Sequence, residues 1–437
     1  MTDERSNVYA ERLAQLIRVE TVSNEQDKNK FYDFQNVLRE LFPHIFAVCS
    51  FEDFNGSFLM CWKGNSAEEP VLIMNHQDVV EAPGEWTYPP FSGTIAAGKV
   101  WGRGTLDTKG GLWAMLQAAD ELAKEGYVPK RDFYFMSTCN EENSGVGAET
   151  ISRELRNRGL HFYMVLDEGG MIVEEPMAGV KGSFAMVGVG EKGIVDLKFI
   201  ARSTGGHAST PDKNTPLVRL GKFMAAAEKK KLFKAYMSPT VCEMFRRLSG
   251  SMKGILRFVF KHSRFFKPLL VKMMPSVSNT ANAVLKTTVA FTMSGGSKGA
   301  NVLPQEAWVV ANMRFSHHQG REDSIRAIQN LAEKYGIETV VLDAGISSPL
   351  SDYKSEAFGL IEKAVHAVFT NVKTSPYVMM AASDCRYMSR VSENCLRFSP
   401  FSINQAQLKS VHGIDENVDV ATLAPAVDFY RYIITEA

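Results

Sequence analysis

The sequence predicts an α/β protein in which a mostly parallel sheet carries a smaller inserted α+β unit. Three observations lead there. Short continuous apolar runs at 70–74, 132–137 and 162–166 alternate with stretches of helical periodicity, the pattern of strands buried on both faces and joined by crossover helices. From about residue 191 the texture changes to half-buried alternation in the order βαββαβ, which suits a small antiparallel sheet with helices on one face. The length, 437 residues, exceeds what one hydrophobic core usually organises. Two domains are therefore expected, one from residues 1–190 and 347–437, the other from 191–346 with a basic helical insertion near 233–280.

Composition narrows the partners. The 49 basic and 49 acidic side chains cancel, so no global field points to nucleic acid or an anionic membrane. Cysteines 49, 61, 139, 242, 385 and 395 form no CxxC pair; neither a disulfide framework nor a cysteine metal site is indicated. The amino terminus lacks a basic region followed by an apolar one, and no apolar run is long enough to span a bilayer. A cytoplasmic, reducing setting without integral membrane association is expected.

Taken in order, helical spacing predicts helices over 8–17 and 31–42, followed by weak alternation over 57–62. The strand at 70–74 ends in Asn75-His76-Gln77-Asp78. Positions i and i+2 of a strand share a face, so His76 and Asp78 project together, and a carboxylate can hold an imidazole in one tautomer. A lone His-x-Asp also arises by chance. After an aromatic loop at 86–91 comes Gly102-Arg103-Gly104-Thr105-Leu106-Asp107-Thr108-Lys109-Gly110-Gly111, between an apolar run and a helix over 112–124 that stops at Gly126. It reads either as a ligand-binding loop at a strand's carboxyl end or as a plain turn capped by Asp107. Asp107 stands where a dinucleotide fingerprint needs its third glycine, which argues against a nucleotide loop. The strand at 132–137 leads to Glu141-Glu142, a solvated acidic turn or a site; the strand at 162–166 leads to Asp167-Glu168-Gly169-Gly170.

Four apolar strands thus end in an acid or a histidine. In a parallel sheet those ends lie along one edge. Carboxylates and imidazole gathered there describe a hard-to-borderline metal site. In the inserted unit, strands are expected over 195–201, 287–293, 307–315 and 338–342, with helices over 217–231 and 323–335; His207 follows the first strand in a glycine turn. The helix at 355–369 and Val411-His412-Gly413 are expected to return the chain to the parent sheet. Residues 246–272 hold eight basic side chains and no acid, which suits either an amphipathic surface for lipid or an acyl chain or a helical elaboration with a solvated basic face.

These motifs, in this order and spacing, resemble the dinuclear zinc metallopeptidase family of aminoacylase, glutamate carboxypeptidase, carboxypeptidase S and acetylornithine deacetylase. The resemblance rests on Asn75-His76-Gln77-Asp78, the stretch around Asp107, Asn140-Glu141-Glu142, Leu166-Asp167-Glu168-Gly169, Gly206-His207-Ala208 and Val411-His412-Gly413. Trp86 with Pro89-Pro90-Phe91 and the long insertion are closest to the carboxypeptidase S and N-acyl-amino-acid hydrolase branch. The resemblance implies a zinc-peptidase catalytic domain with an inserted lid/dimerisation domain, binding two Zn2+ ions for which Co2+ or Mn2+ can substitute. Asp107 would bridge the ions; His76 and Asp167 would complete one, Glu142 and His412 the other. Asp78 would steady His76, Glu141 would be the general base, and His207 would stabilise the oxyanion, across a homodimer in dimeric members. Asn301 and Arg314 resemble lid residues that hold the substrate carboxylate; Arg314 read alone could equally be a strand-edge surface arginine. Thr108, Ser144 and Asp415-Glu416-Asn417 depart from the usual residues without removing a ligand.

The function so implied is hydrolysis of a peptide or N-acyl amide beside a free α-carboxylate. Its rivals are an aminopeptidase or dipeptidase acting on unblocked peptides and a metal-binding scaffold without catalysis. The insertion would either build an acyl-binding wall or mimic a partner lid and leave the protein monomeric.

Overall fold

The computed structural model describes residues 4–23, 27–276, 279–343, 345 and 347–437. Residues 1–3, residues 277–278 of the insertion and the expected boundary at 346 lie outside them.

Strands Val71–His76, Phe133–Thr138, Met164–Asp167 and Cys395–Arg397 run parallel at the centre of a ten-stranded sheet. Their side chains divide between two cores. Val71, Ile73, Phe133, Phe135 and Leu166 meet helices Glu4–Ile17, Lys109–Lys124, Glu356–Val368 and Leu423–Glu436; Leu72, Met74, Tyr134, Met136 and Val165 meet helix Gly147–Asn157. Both faces are covered, which is why these runs carry no polar alternation. The same holds for Ser57–Trp62, where weak alternation is expected and every residue is buried. It pairs on one side with Phe133–Thr138 and on the other with Cys49–Phe54, a strand without its own sequence signal, through a two-residue turn in which Asn55 and Gly56 have φ of 56° and 91°.

The final segment does return to the parent sheet. Lys373–Met379 pairs in parallel with Ser183–Glu191, and Ser402–Ile403 pairs in parallel with Ile172–Glu174. A separate three-stranded sheet joins Thr94–Ala96, Lys99–Trp101 and Asn417–Asp419. It sets the Asp107 loop beside the turn that carries His412.

Gly193–Arg202, Thr288–Gly295, Glu306–Phe315 and Glu338–Val341 form the second, four-stranded antiparallel sheet. Helices Pro216–Lys229 and Gly320–Glu333 close a core of its own that includes Leu197, Phe199, Phe223 and Ile328. The insertion, helices Pro239–Ser249, Gly254–Lys261, Lys267–Met273 and Asn279–Leu285, packs elsewhere. Its Val241, Phe245 and Leu248 share a core with Val180, Phe184 and Tyr377 of the large sheet's side. Arg247 pairs with Glu362 and donates to the Thr374 carbonyl at 3.2 Å.

One residue, Lys192, separates strand Ser183–Glu191 of the large sheet from strand Gly193–Arg202 of the small one. The crossing is anchored from the core. Arg397 Nε donates to Glu191 Oε2 at 3.1 Å, and Nη2 to Ser348 Oγ on the return crossing at 3.3 Å. Glu191 Oε2 also accepts from the Ser383 amide at 3.1 Å and hydroxyl at 3.0 Å. Both charged groups are buried, and removing one partner strands the other's charge. Arg397→Ala is therefore expected to cost about 3–5 kcal/mol, read as a fall in the urea unfolding midpoint; an unchanged midpoint would show that the pair anchors nothing.

Candidate metal centre

The Asp107 loop is built by sterics and by one distant carboxylate. At Gly104 φ is +93° and a Cβ would lie 2.9 Å from Val79 Cγ1; at Gly111 a Cβ would lie 2.3 Å from Asn75 Oδ1. Neither position admits a side chain without displacement. Glu416 Oε1 accepts from the amides of Gly104 (3.2 Å), Leu106 (2.8 Å) and Asp107 (3.2 Å), while Arg103 Nη1 donates to Oε2 at 2.7 Å. Arg103 Nη2 donates in turn to the Gly413 carbonyl at 2.8 Å. This buried ion pair ties the loop to the residue after His412. Thr108, where an acid is more usual, donates its hydroxyl to Asn75 Oδ1 at 2.9 Å. Lys109 Nζ reaches the carbonyls of Leu16 (3.2 Å) and Val19 (2.6 Å), and burial brings its pKa down to about 7.

Asp107 offers one oxygen to each of two imidazoles. Oδ1 lies 3.0 Å from His76 Nε2 and Oδ2 lies 3.0 Å from His412 Nε2; Glu142 Oε2 lies 3.2 Å from the same His412 nitrogen. His412 takes φ +59°, in the left-handed region. His76 Nδ1 meets the backbone carbonyl of Asp78 at 2.8 Å, which fixes the tautomer that leaves Nε2 facing Asp107. The Asp78 carboxylate sits 3.5 Å from Nδ1 and mainly does something else: its two oxygens accept from the amides of Glu141 and Glu142, each at 3.1 Å. It thereby shapes the acidic turn as well as steadying the histidine.

Asp167 closes the row but stands apart from those contacts. Its Oδ1 accepts from the Glu168 amide at 2.8 Å and its Oδ2 from the Cys385 amide at 2.9 Å. Burial, then the charge of Asp384, pushes its pKa up to about 7. Burial and neighbouring acids likewise push Glu141 and Glu168 well above the carboxylate range, against the pull of His76. At Asp107 and His76 burial opposes ionisation, yet the contacts of Asp107 with His412 and His76, and of His76 with Asp107 and Asp78, outweigh it, holding the acid low and the imidazole high. His412 rises to about 10 through its bonds to Asp107 and Glu142. Such crowding calls for a cation. His76, Asp107 and Glu142 can each place a donor atom within 4.8 Å of the others, and Glu142 Oε1 is buried without a partner. The 3.0–3.2 Å donor spacings are close to the ~3.3 Å kept by two donors on one tetrahedral ion. The residues fit a metal site.

The profile of Peptidase family M20/M25/M40 matches residues 72–436. The chain belongs to that family. It is similar to the human N-fatty-acyl-amino acid synthase/hydrolase PM20D1, 29% identical over 98% of this chain and 87% of the relative. It is also similar to the probable carboxypeptidase S-like 2 of Dictyostelium discoideum, 30% identical over 97% and 84%. Among solved structures, the M20 family metallo-carboxypeptidase Sso-CP2 of Sulfolobus solfataricus superposes with TM-score 0.70 at 16% identity, covering 99% of this chain and 98% of that one. This M20/M25/M40 protein is accordingly a metallopeptidase-type hydrolase with an α/β catalytic fold.

The lid residues of this M20/M25/M40 chain divide. Arg314, at the end of strand Glu306–Phe315, is half-buried, and burial, aided by the charge of Arg386, lowers its pKa against the pull of Asp196 and, more weakly, of Glu191 and Glu141. Its Nη1 has no partner. His207 and Asn301 are exposed on the ribbon where Gly206–His207 pairs with Val302–Leu303. His207 Nδ1 meets Ser209 Oγ at 2.8 Å; among the described residues it makes no bond to the centre. Two residues escaped the sequence reading. Asp384, bonded by Thr138 Oγ1 at 2.5 Å, has an unpartnered buried Oδ1, and buried Arg386 follows it two residues on. They follow strand Lys373–Met379 at the sheet edge, and the rule that found the other acids would have found them had that strand been recognised.

Partners that orient metal ligands typically matter about 10–100-fold in metal affinity. Glu416→Gln, which keeps the shape but not the charge, is expected to weaken metal binding by that factor in a titration of the metal-free chain. Wild-type affinity would mean that the loop holds Asp107 unaided.

Proposed function

We propose that the protein hydrolyses a peptide or N-acyl amide bond beside a free α-carboxylate, using two Zn2+ ions. The observation that carries this is Asp107, whose two oxygens face different imidazoles, as a carboxylate shared between two ions requires. His76 and Asp167 would complete one ion's ligands, Glu142 and His412 the other's; Co2+ or Mn2+ would suit the same donors. When bound, the ions polarise the amide carbonyl and lower the pKa of water.

The remaining roles belong to side chains. Glu141, held by Asp78 through its amide and adjacent to a ligand without being one, takes the proton of the attacking water and passes it to the leaving nitrogen. Arg314 receives the substrate carboxylate in its planar fork, with Arg386 adding charge nearby. Relatives named for fatty-acyl amino acids and for carboxypeptidase activity support a substrate of this class. The separate cores of the two sheets support a division into a catalytic domain, 1–190 with 347–437, and a lid, 191–346. Exposure of His207 and Asn301 on the lid ribbon favours a homodimer in which they serve the partner's centre, His207 at the oxyanion and Asn301 at the carboxylate. Six free cysteines accord with a cytoplasmic setting. Among the described residues no helix is long and apolar enough to cross a membrane.

Glu141→Ala is expected to slow hydrolysis at least about 100-fold with metal content unchanged, whereas Asp107→Ala should lose activity and metal together. Two ions retained in the Asp107 variant would refute the bridge. His207→Ala should lower kcat by about 100–1000-fold, and a monomer with full activity on sizing would refute donation across a dimer. Rates on N-acyl amino acids compared with unblocked dipeptides test the substrate class; turnover of the dipeptides alone would assign an aminopeptidase or dipeptidase.

A further inference from the structure

The outer surface of the insertion has no part in the centre, yet its chemistry is unlike the rest of the molecule. Ile255, Phe258 and Phe265 are exposed by 73%, 53% and 80%. Phe266 joins two of them, its ring centre 5.8 Å from that of Phe258 and 5.1 Å from that of Phe265. Leu269 and Met273, also exposed and four residues apart on the next helix, extend the same apolar ground.

Cations surround it. The arginines of the preceding helix are neutralised, Arg246 by Glu243 and Arg247 by Glu243 and Glu362. Lys253, Arg257, Lys261, Arg264 and Lys272 are exposed and, among the described residues, meet no carboxylate. A cleft of about 330 Å³ opens beside Phe265, lined by Arg246, Lys261 and Arg264 together with the paired Glu243. The chain as a whole carries no net charge, so this concentration of unpaired cations is local.

We propose that this face docks on an anionic phospholipid surface, with Phe258 and Phe265 entering the boundary between headgroups and acyl chains and the cleft at Lys261 and Arg264 receiving a lipid phosphate. Exposed apolar side chains among unpaired cations, on two short helices and the turn between them, have the chemistry of an interfacial segment. A second copy meeting the same face would set cation against cation. The insertion also shares its core with Tyr377, whose hydroxyl donates to the Gly169 carbonyl at 3.3 Å, just beyond Asp167 and Glu168.

The test is co-sedimentation of the full chain with phosphatidylcholine vesicles, with and without phosphatidylglycerol, at roughly 0.1 M and 0.5 M salt. The anionic lipid is expected to raise the bound fraction about tenfold, and high salt, Phe265→Asp or Lys261→Glu with Arg264→Glu to reverse it by a similar factor. Hydrolysis of a soluble substrate without vesicles should be unchanged in these variants, so the docking and the chemistry succeed or fail separately. Binding to neither vesicle, equal binding to both, or variants that bind like the wild type would overturn the proposal. So would a dimer that Phe265→Asp dissociates, which would assign the face to a second copy.

Discussion

Seven acids crowd one edge of the sheet, and their repulsion is the constraint to which the surroundings answer. Asp78, Asp107, Glu141, Glu142, Asp167, Glu168 and Asp384 come from five different loops. The centre answers in three ways. Asp78 and Asp167 are occupied by backbone amides, Asp107 and Glu142 by imidazoles, and Asp384 by the Thr138 hydroxyl. Burial still leaves Glu141, Glu168, Asp167 and Asp384 with raised proton affinity. A bound cation relieves the repulsion that hydrogen bonds leave behind.

The same centre needs stiffness that short loops do not supply by themselves. Glu416 gathers three amides of the Asp107 loop, and Arg103 carries the connection to Gly413. Asp415, an unusual residue at its place, accepts from the Thr87 amide at 2.8 Å and hydroxyl at 2.9 Å, so the aromatic loop is drawn into the same assembly. Arg103 lies 5.2 Å from the Trp86 ring centre. On the opposite side, the Arg397–Glu191 pair fixes where the lid leaves the sheet. The lid's Arg314 belongs to another core, yet Glu191 and Glu141 are within its electrostatic reach.

Much of this was legible beforehand because parallel strands buried on both faces leave unbroken apolar runs, and whatever follows such a run lands on one edge. That rule located His76, Glu142 and Asp167, and the switch to alternation located the second sheet; Asp107 instead follows Lys99–Trp101, a short half-buried strand of the separate antiparallel sheet. The rule could not reach Asp384 and Arg386, because Lys373–Met379 is a strand with a proline and polar residues and gives no apolar run. Nor could spacing show that Asp78 serves Glu141 and Glu142 through its carboxylate and His76 through its carbonyl. Glu416 acts through contacts more than 300 positions away in sequence. Helical periodicity described the insertion's faces without saying that its inner one leans on the large sheet rather than on the lid.

That long separation has a consequence for the order of synthesis. Arg103 and Glu416 are 313 residues apart, and His412 is delivered by the same late segment. Chains are made from the amino terminus and their domains fold as they emerge, so the Asp107 loop waits for its carboxylate partner until more than 300 further residues have been made. A hydrolase assembled this way is inert as a nascent chain. Its competence to cut arrives only once the segment that carries His412 and Glu416 has been made.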